Sequence, residues 1–166
     1  GQFKIVDQII VIFKTYLLLF FNFVYPRICY LLDKSRQEAM RFWITYNGLN
    51  LIFITICMTV VFIFSTEVVL FFNPTQVQLI SDLLKIAVFI PVIQAISIPL
   101  KQLVLAENKQ KQYVRITMIM TVLSLLLIVI ITPLYQVLGV VLSLISAEIL
   151  ISFIFYWTIK KQVFVR

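Results

Sequence analysis

The sequence predicts an all-α integral membrane protein with about five transmembrane helices, and composition is the first reason. Of its 166 residues, 62% are hydrophobic and only 13% are charged, whereas a soluble domain is about half apolar and about a quarter charged. The mean hydropathy is +1.06. A chain of this composition could not cover its apolar surface with polar groups, which excludes a soluble enzyme, a disordered tail and a disulfide scaffold.

Five apolar stretches are the second reason, because each could cross a hydrocarbon core of about 30 Å, for which roughly 20 helical residues are needed. The first ends at a charged loop, residues 33–41, and a polar connection, residues 65–76, follows the second. A short basic segment separates the third from the fourth, and Thr132-Pro133 forms the expected turn before the fifth. The expected helices form a single bundle within residues 1–166 and cover about residues 5–32, 42–64, 77–105, 113–131 and 137–158.

The residue types that enzyme sites use most are scarce. The chain has no histidine, the usual general base and the commonest metal ligand. Its three glycines are too few for a phosphate-binding loop. Cys29 and Cys57 lie inside apolar stretches, where we expect free thiols. We therefore expect a protein that is not an enzyme and that binds no metal ion and no cofactor.

Basic side chains are distributed unevenly among the connections. Ten of the fourteen Lys and Arg residues lie on one side of the expected membrane, and only Lys4 lies on the other. By the positive-inside rule the ten mark the cytoplasmic side, so we expect the Gly1 end outside the membrane and the C-terminus in the cytoplasm. We attribute the net charge of +7 to this topology and to anionic membrane lipids, not to nucleic acid. The ten are Lys34, Arg36, Arg41, Lys101, Lys109, Lys111, Arg115, Lys160, Lys161 and Arg166.

An external start at Gly1 needs an explanation, because no signal peptide is visible before the first helix. We expect the chain to be a C-terminal fragment of a longer protein, preceded by an odd number of membrane crossings. The remaining helices of that protein would be its immediate partners.

Lys14 lies near the middle of the first helix, about 13 Å from its start. A charge at that depth costs several kcal/mol, so Lys14 is a functional candidate. Asp7, Lys14 and Phe21 recur every seven residues on one helix face, with Tyr25 on the same face and Asn22 nearby. Lys14 is either a cation presented to an anionic ligand or a structural partner of a carboxylate such as that of Glu148.

Glu148 is the second charge near a helix centre, twelve residues from both Gln136 and Lys160. It is either the counter-charge of a basic residue or a candidate for coupling transport to an ion or a proton. Asp7 is a further coupling candidate.

The third helix contains Pro91, which deletes a backbone hydrogen bond deep inside the helix and is a candidate hinge. Gln94, Ser97 and Lys101 share a polar face beyond it. A kinked helix with a polar face suits a moving transporter helix, and it also suits plain packing in a bundle.

Two local patterns give further expectations. Asp82 and Lys85 are i,i+3 neighbours, and we expect a local ion pair between them. Gly139, Ser143 and Ala147 form a stripe of small residues that lets another helix approach closely.

Several short motifs are informative in their order and spacing. They are Tyr25-Pro26-Arg27 with Leu31-Leu32, Phe71-Phe72-Asn73-Pro74, Leu83-Leu84-Lys85-Ile86, Leu103-Val104-Leu105-Ala106 with Asn108-Lys109-Gln110-Lys111, and Pro133 to Gly139 with Ala147-Glu148-Ile149. As a set, they resemble the second half of the Wzx-type polysaccharide flippases, the oligosaccharidyl-lipid branch of the superfamily that includes the MATE drug exporters. Asn73 and Asn108 stand where that family usually has glycine, and Val140 where it has Gly or Ala.

This resemblance implies two six-helix lobes around a central, often cationic cavity, with the present chain as part of one MATE-like lobe. It implies a bacterial inner-membrane protein of O-antigen, lipopolysaccharide or capsule assembly, which would place the Gly1 end in the periplasm. The transported substrate would be a polyprenyl-diphosphate-linked oligosaccharide, moved by alternating access. Lys14, Arg27 and Lys85 would bind its diphosphate.

Two other functions stay open. A cation-coupled multidrug exporter lobe would have an acidic cavity, which Asp7 and Glu148 allow. A non-transporting membrane scaffold subunit would pair all its midplane charges internally and would have no cavity.

Overall fold

The computed structural model describes residues 3–72 and 75–163. In these ranges the chain forms six α-helices and no strand, which confirms the all-α prediction. Expectations about Gly1, the Asn73-Pro74 turn and Arg166 lie outside the described residues, as does the side chain of Lys161. The helices are α1 (Phe3–Lys34), α2 (Arg36–Ile63), α3 (Ser65–Leu70), α4 (Val77–Ala87), α5 (Phe89–Ala106) and α6 (Gln110–Val163).

The connection between α1 and α2 is shorter than the loop expected at residues 33–41. Ser35 alone separates the two helices, and its backbone is extended, with φ −155° and ψ 114°. Its side chain accepts a hydrogen bond from the Glu38 backbone N–H at 3.4 Å. A serine cap with a glutamate three residues later favours a helix start, so α2 begins at Arg36, six residues earlier than expected.

The third expected helix is interrupted. α4 ends at Ala87, α5 begins at Phe89, and Val88 lies between them with φ −60° and ψ −19°. Pro91 has no N–H and cannot donate to the carbonyl of Ala87, four residues earlier. The interruption therefore lies where the missing hydrogen bond weakens the helix, and the role of Pro91 as a hinge stays a prediction.

α6 is a helical hairpin and not one straight helix. Gln136 has non-helical torsions, φ 51° and ψ −130°, and separates a first arm, residues 110–135, from a second arm, residues 137–163. The Ser143 hydroxyl donates a hydrogen bond to the Leu127 carbonyl at 3.3 Å, although 16 residues separate them. A straight helix would place these residues about 24 Å apart, so the two arms run antiparallel.

Small residues hold the arms of α6 close together, as the spacing of the small-residue stripe predicts. A β-carbon added at Gly139 would lie 2.7 Å from the carbonyl oxygen of Ile131 and 3.0 Å from Cα of Thr132. One turn further, the Ser143 hydroxyl also donates to the Gly139 carbonyl at 2.7 Å. Pro133, where the turn was expected, belongs to the end of the first arm, because the reversal comes three residues later.

Substituting Gly139 by alanine is expected to destabilise this hairpin, because the new methyl group would overlap backbone atoms that cannot rotate away. We expect the free energy of unfolding to fall by about 1–3 kcal/mol, the usual cost of overpacking. Gly48→Ala is the matched control, since nothing lies within 4 Å of a β-carbon at Gly48 and alanine is the better helix former. Equal effects of the two substitutions on unfolding in detergent would contradict the close approach of the arms.

α5 lies at the centre of the bundle, where it packs against α1, α2 and α6. One apolar cluster, around Ile80 and Leu84, fills the part of the bundle nearest α4. A second cluster, around Leu103, Val104 and Phe155, fills the opposite end. Most large apolar side chains of the first arm of α6 are exposed, although Tyr113 and Ile116 pack against the second cluster.

Connections that carry basic residues meet at one end of the bundle. The Arg36 guanidinium, at the start of α2, binds the Glu107 carboxylate at 2.9 Å. Lys109 Nζ binds the same carboxylate. Ile159, near the end of α6, packs in the same apolar cluster as Val104 of α5. We call this the basic end of the bundle.

Four stretches of the described chain are long and apolar enough to cross a membrane, and much of their surface faces outward. Only 6% of the most apolar part of α6 is buried within the protein, against 56% in the α4–α5 stretch. These features are compatible with an all-α membrane protein. The four stretches are Lys4–Lys34, Arg36–Ile63, Val77–Ala106 and Gln110–Lys160.

Candidate functional site

Four polar side chains meet between α5 and the second arm of α6. The Glu148 carboxylate accepts a hydrogen bond from Gln94 Nε2 at 3.2 Å and another from the Ser97 hydroxyl at 2.9 Å. Lys101 Nζ lies 3.4 Å from the same carboxylate and forms an ion pair with it. The three donors of α5 come from one face, since their spacings of three and four residues stack them on successive turns. We call these four residues the Glu148 cluster.

The Glu148 cluster contains equal and opposite charges and is largely enclosed. The side chains of Lys101 and Glu148 are 21% and 18% exposed, and Ser97 is fully buried. Both carboxylate oxygens accept hydrogen bonds, whereas the Ser152 hydroxyl donates to the backbone carbonyl of Glu148. Glu148 is thus the counter-charge of Lys101, and its coupling to an ion or a proton stays a prediction.

Lys14 lies at the edge of the buried face of α1. Ile10 and Leu17, one turn away on either side, are 3% and 0% exposed, whereas Val11 and Leu18 are 44% and 53% exposed. The Lys14 side chain itself is half-buried.

Lys14 has no counter-charge in the described part of the chain. It forms neither an ion pair nor a hydrogen bond with any residue of 3–72 and 75–163. Glu148, the partner that the sequence left open, is paired with Lys101 instead. The ammonium group of Lys14 is therefore free to meet a negative group that approaches α1 from outside the described bundle.

Further polar side chains follow the same edge of α1. Because a helix turns by about 100° per residue, Asp7 and Tyr25 lie within about 20° of Lys14 around the axis, and Asn22 lies about 80° away. Asp7 and Asn22 are exposed, and Tyr25 is half-buried. Tyr16, on a different side of α1, bonds α2. We call Asp7, Lys14, Asn22 and Tyr25 the polar edge of α1.

The other two expected substrate-binding cations lie elsewhere. Arg27 is 13 residues, about 20 Å, along α1 from Lys14, and its guanidinium lies 5.3 Å from the centre of the Tyr30 ring. Lys85, on α4, binds Asp82 at 3.3 Å, which confirms the predicted local ion pair. Of the three cations, Lys14 is the one that has no partner among the residues described.

A second set of polar contacts joins α1, α2 and α5. The Tyr16 hydroxyl donates to Asn50 Oδ1 at 3.0 Å, and Asn47 Nδ2 donates to the Trp43 carbonyl at 2.8 Å. The indole N–H of Trp43 reaches the Pro99 carbonyl at 3.4 Å. Two asparagines inside an apolar helix were the signal in the sequence, but their partners depend on which helices are neighbours.

Cys29 and Cys57 are free thiols, as expected. Comparison with known proteins adds no family to these observations: no family model matches the chain, and no curated protein or solved structure matches it significantly. The charges and contacts described above are therefore the basis for a proposed function.

Proposed function

We propose that this chain is part of one six-helix lobe of a transporter that moves a polyprenyl-diphosphate-linked oligosaccharide across the bacterial inner membrane. The observation that carries the proposal is Lys14, a half-buried cation that has no counter-charge among the described residues. A charge near the middle of a membrane helix costs several kcal/mol unless it meets a partner or a wet cavity. An anionic ligand in such a cavity provides the missing counter-charge.

A diphosphate suits the chemistry of this lysine. The ammonium group is a compact charge with three hydrogen-bond donors, and phosphate oxygens form strong charge-assisted hydrogen bonds with it. Arg27 and Lys85 have other contacts, so in this proposal Lys14 is the principal diphosphate ligand of the chain and the other two are secondary. The reaction is translocation and needs no covalent chemistry.

Alternating access requires some helices to move together and others to move apart. The Lys101–Glu148 ion pair joins α5 to the second arm of α6, so these two elements would move as one body. The interruption at Val88 lets α4 tilt relative to α5, with Pro91 as the hinge.

Both alternative functions meet a difficulty in the charges. A cation-coupled drug exporter needs a free carboxylate in its cavity, but the carboxylate of Glu148 is paired with Lys101. Asp7 is exposed, but it lies near the start of α1. A scaffold subunit would pair its internal charges, and Lys14 is unpaired in the described chain.

The proposal includes five membrane crossings, one for each arm of α6 and three for the other long stretches, with the basic end in the cytoplasm. In a full-length variant, Cys29 and Cys57 are replaced by alanine and a single cysteine is introduced at one of two positions. We expect these two cysteines to be labelled from opposite sides of the membrane. A cysteine at Lys111 should react with an impermeant maleimide only from the cytoplasmic side, and one at Gln136 only from the periplasmic side. Labelling of both from the same side would contradict the five-crossing topology.

The proposed function is tested with the full-length transporter reconstituted in lipid vesicles. The vesicles contain a fluorescent polyprenyl-diphosphate oligosaccharide, and an impermeant quencher reports which leaflet holds the label. We expect the label to exchange between leaflets faster than in protein-free vesicles. An unchanged exchange rate would contradict the proposal, and faster movement of a lipophilic cationic dye alone would favour the drug exporter.

A further inference from the structure

Asn22 is an exposed amide in the central part of α1. The midpoint of α1 lies between Leu18 and Leu19, with Lys14 about 7 Å to one side and Asn22 about 5 Å to the other. Leu18 and Leu19 are 53% and 66% exposed, and Phe23, which follows Asn22, is 83% exposed. The Asn22 side chain forms no hydrogen bond within the described part of the chain.

An unpaired amide at this depth needs a partner. Removing an amide from water without a compensating hydrogen bond costs roughly 2–7 kcal/mol, so plain hydrocarbon is an unfavourable neighbour for Asn22. Lys14 and Asn22 are eight residues apart, which is about 12 Å along α1. A single ligand that contacts both must therefore be polar over at least about 12 Å, with an anionic group at Lys14 and uncharged hydrogen-bonding groups at Asn22.

The charge of Asp7 determines in which direction along α1 such a ligand extends from Lys14. Asp7 lies seven residues on the other side of Lys14, about 10 Å away, and its exposed carboxylate would repel a phosphate that extended towards it. Towards Asn22, the polar edge of α1 contains uncharged side chains, Asn22 and Tyr25. An anionic group bound at Lys14 would therefore continue into its uncharged part along the Asn22 side.

We infer that Asn22 binds the first sugar of the transported lipid while Lys14 binds its diphosphate. This inference rests on the proposed function. It adds a residue that contacts the sugar part of the substrate and not the lipid part. The amide has two donors and one acceptor oxygen, which match the hydroxyl and acetamido groups of a sugar. Because the amide is uncharged, it adds little to binding of the diphosphate that both lipids share. Its hydrogen bonds to the sugar therefore favour the lipid that bears a sugar.

The test measures binding of two probes to the purified full-length transporter. The probes are a polyprenyl diphosphate and the same lipid with one N-acetylated sugar. Asn22→Leu should weaken binding of the sugar-bearing probe by about 2- to 12-fold, the range of one neutral hydrogen bond, and should leave the sugar-free probe unchanged. Lys14→Gln should weaken binding of both probes by more than about tenfold, because it removes a charge-assisted hydrogen bond.

Controls separate this inference from the proposed function. Leu18→Ala changes an exposed side chain between the two positions and should affect neither probe. Asn22→Gln keeps the amide, and it serves as the second variant if Asn22→Leu does not fold. The role of Asn22 would be overturned if Asn22→Leu affected both probes equally or affected neither. It would also be overturned if Asn22→Leu lowered the membrane level, Asn22→Gln restored that level, and neither variant changed the affinity for the sugar-bearing probe. If Lys14→Gln leaves both affinities unchanged, the result counts against the proposed function itself, whatever the effect of Asn22→Leu.

Discussion

Replacing Lys14 by alanine is expected, under the proposed function, to abolish glycan export while the protein reaches the membrane at its normal level. The substitution breaks no ion pair and no hydrogen bond, since Lys14 forms neither with the described residues. In the proposed function it removes the cation that would neutralise the ligand, and loss of one charge-assisted hydrogen bond would weaken binding by about 1.5–3 kcal/mol. Export of the glycan in cells and the amount of protein in membranes are the two measurements.

Two controls make this result specific. Lys14→Arg keeps the positive charge and should retain part of the export, with altered phosphate geometry. Leu18→Ala, one turn along the exposed side of α1, should leave export unchanged. Normal export by Lys14→Ala would remove the basis of the proposed function, and a lower membrane level would assign Lys14 a structural role.

Replacing Glu148 by leucine is expected to have a different effect, namely loss of stability. Lys101 would lose its counter-charge, and Ser97 and Gln94 would lose their acceptor. Breaking a fully buried pair costs about 3–5 kcal/mol. Because the side chains of Lys101 and Glu148 are 21% and 18% exposed, we expect the free energy of unfolding to fall by about 1–3 kcal/mol. Thermal unfolding in detergent measures the change.

A compensating variant distinguishes the two interpretations of Glu148. Combining Glu148→Leu with Lys101→Met removes both charges and should recover most of the lost stability, because no unpaired charge remains between α5 and α6. If Glu148→Leu instead stops export at unchanged stability, and the double variant is also inactive, Glu148 couples transport to an ion or a proton.

Local patterns in the sequence predicted the parts of the site that lie within one helix. The shared face of Gln94, Ser97 and Lys101 follows from helical spacing alone, and so does the Asp82–Lys85 pair. The partner of Glu148 could not be predicted in the same way, because Lys14 and Lys101 are both basic residues in apolar helices. The choice between them depends on which helix packs against α6, and that is a property of the whole bundle.

Helix ends were the least predictable part of the fold. Hydropathy located the apolar stretches. The start of α2 is instead determined by the N-cap that Ser35 forms with the Glu38 backbone N–H, and hydropathy contains no information on such a cap. The end of α5 is similar: Asn108 has φ 59°, a left-handed conformation that asparagine tolerates better than most residues. Asparagine is therefore a suitable residue at this helix end. The Lys109 N–H returns to the Val104 carbonyl at 3.2 Å, which closes the helix end.

The reversal of α6 at Gln136 also affects how the chain can enter a bilayer. Between Arg115 and Glu148 the sequence contains no Asp, Glu, Lys or Arg, so in the proposed topology the tip of the hairpin would cross the hydrocarbon without transferring a formal charge. The two arms can therefore insert together as one apolar unit. In the proposed topology the membrane potential would do no work on charged side chains in this segment, and hydrophobic transfer would drive its insertion.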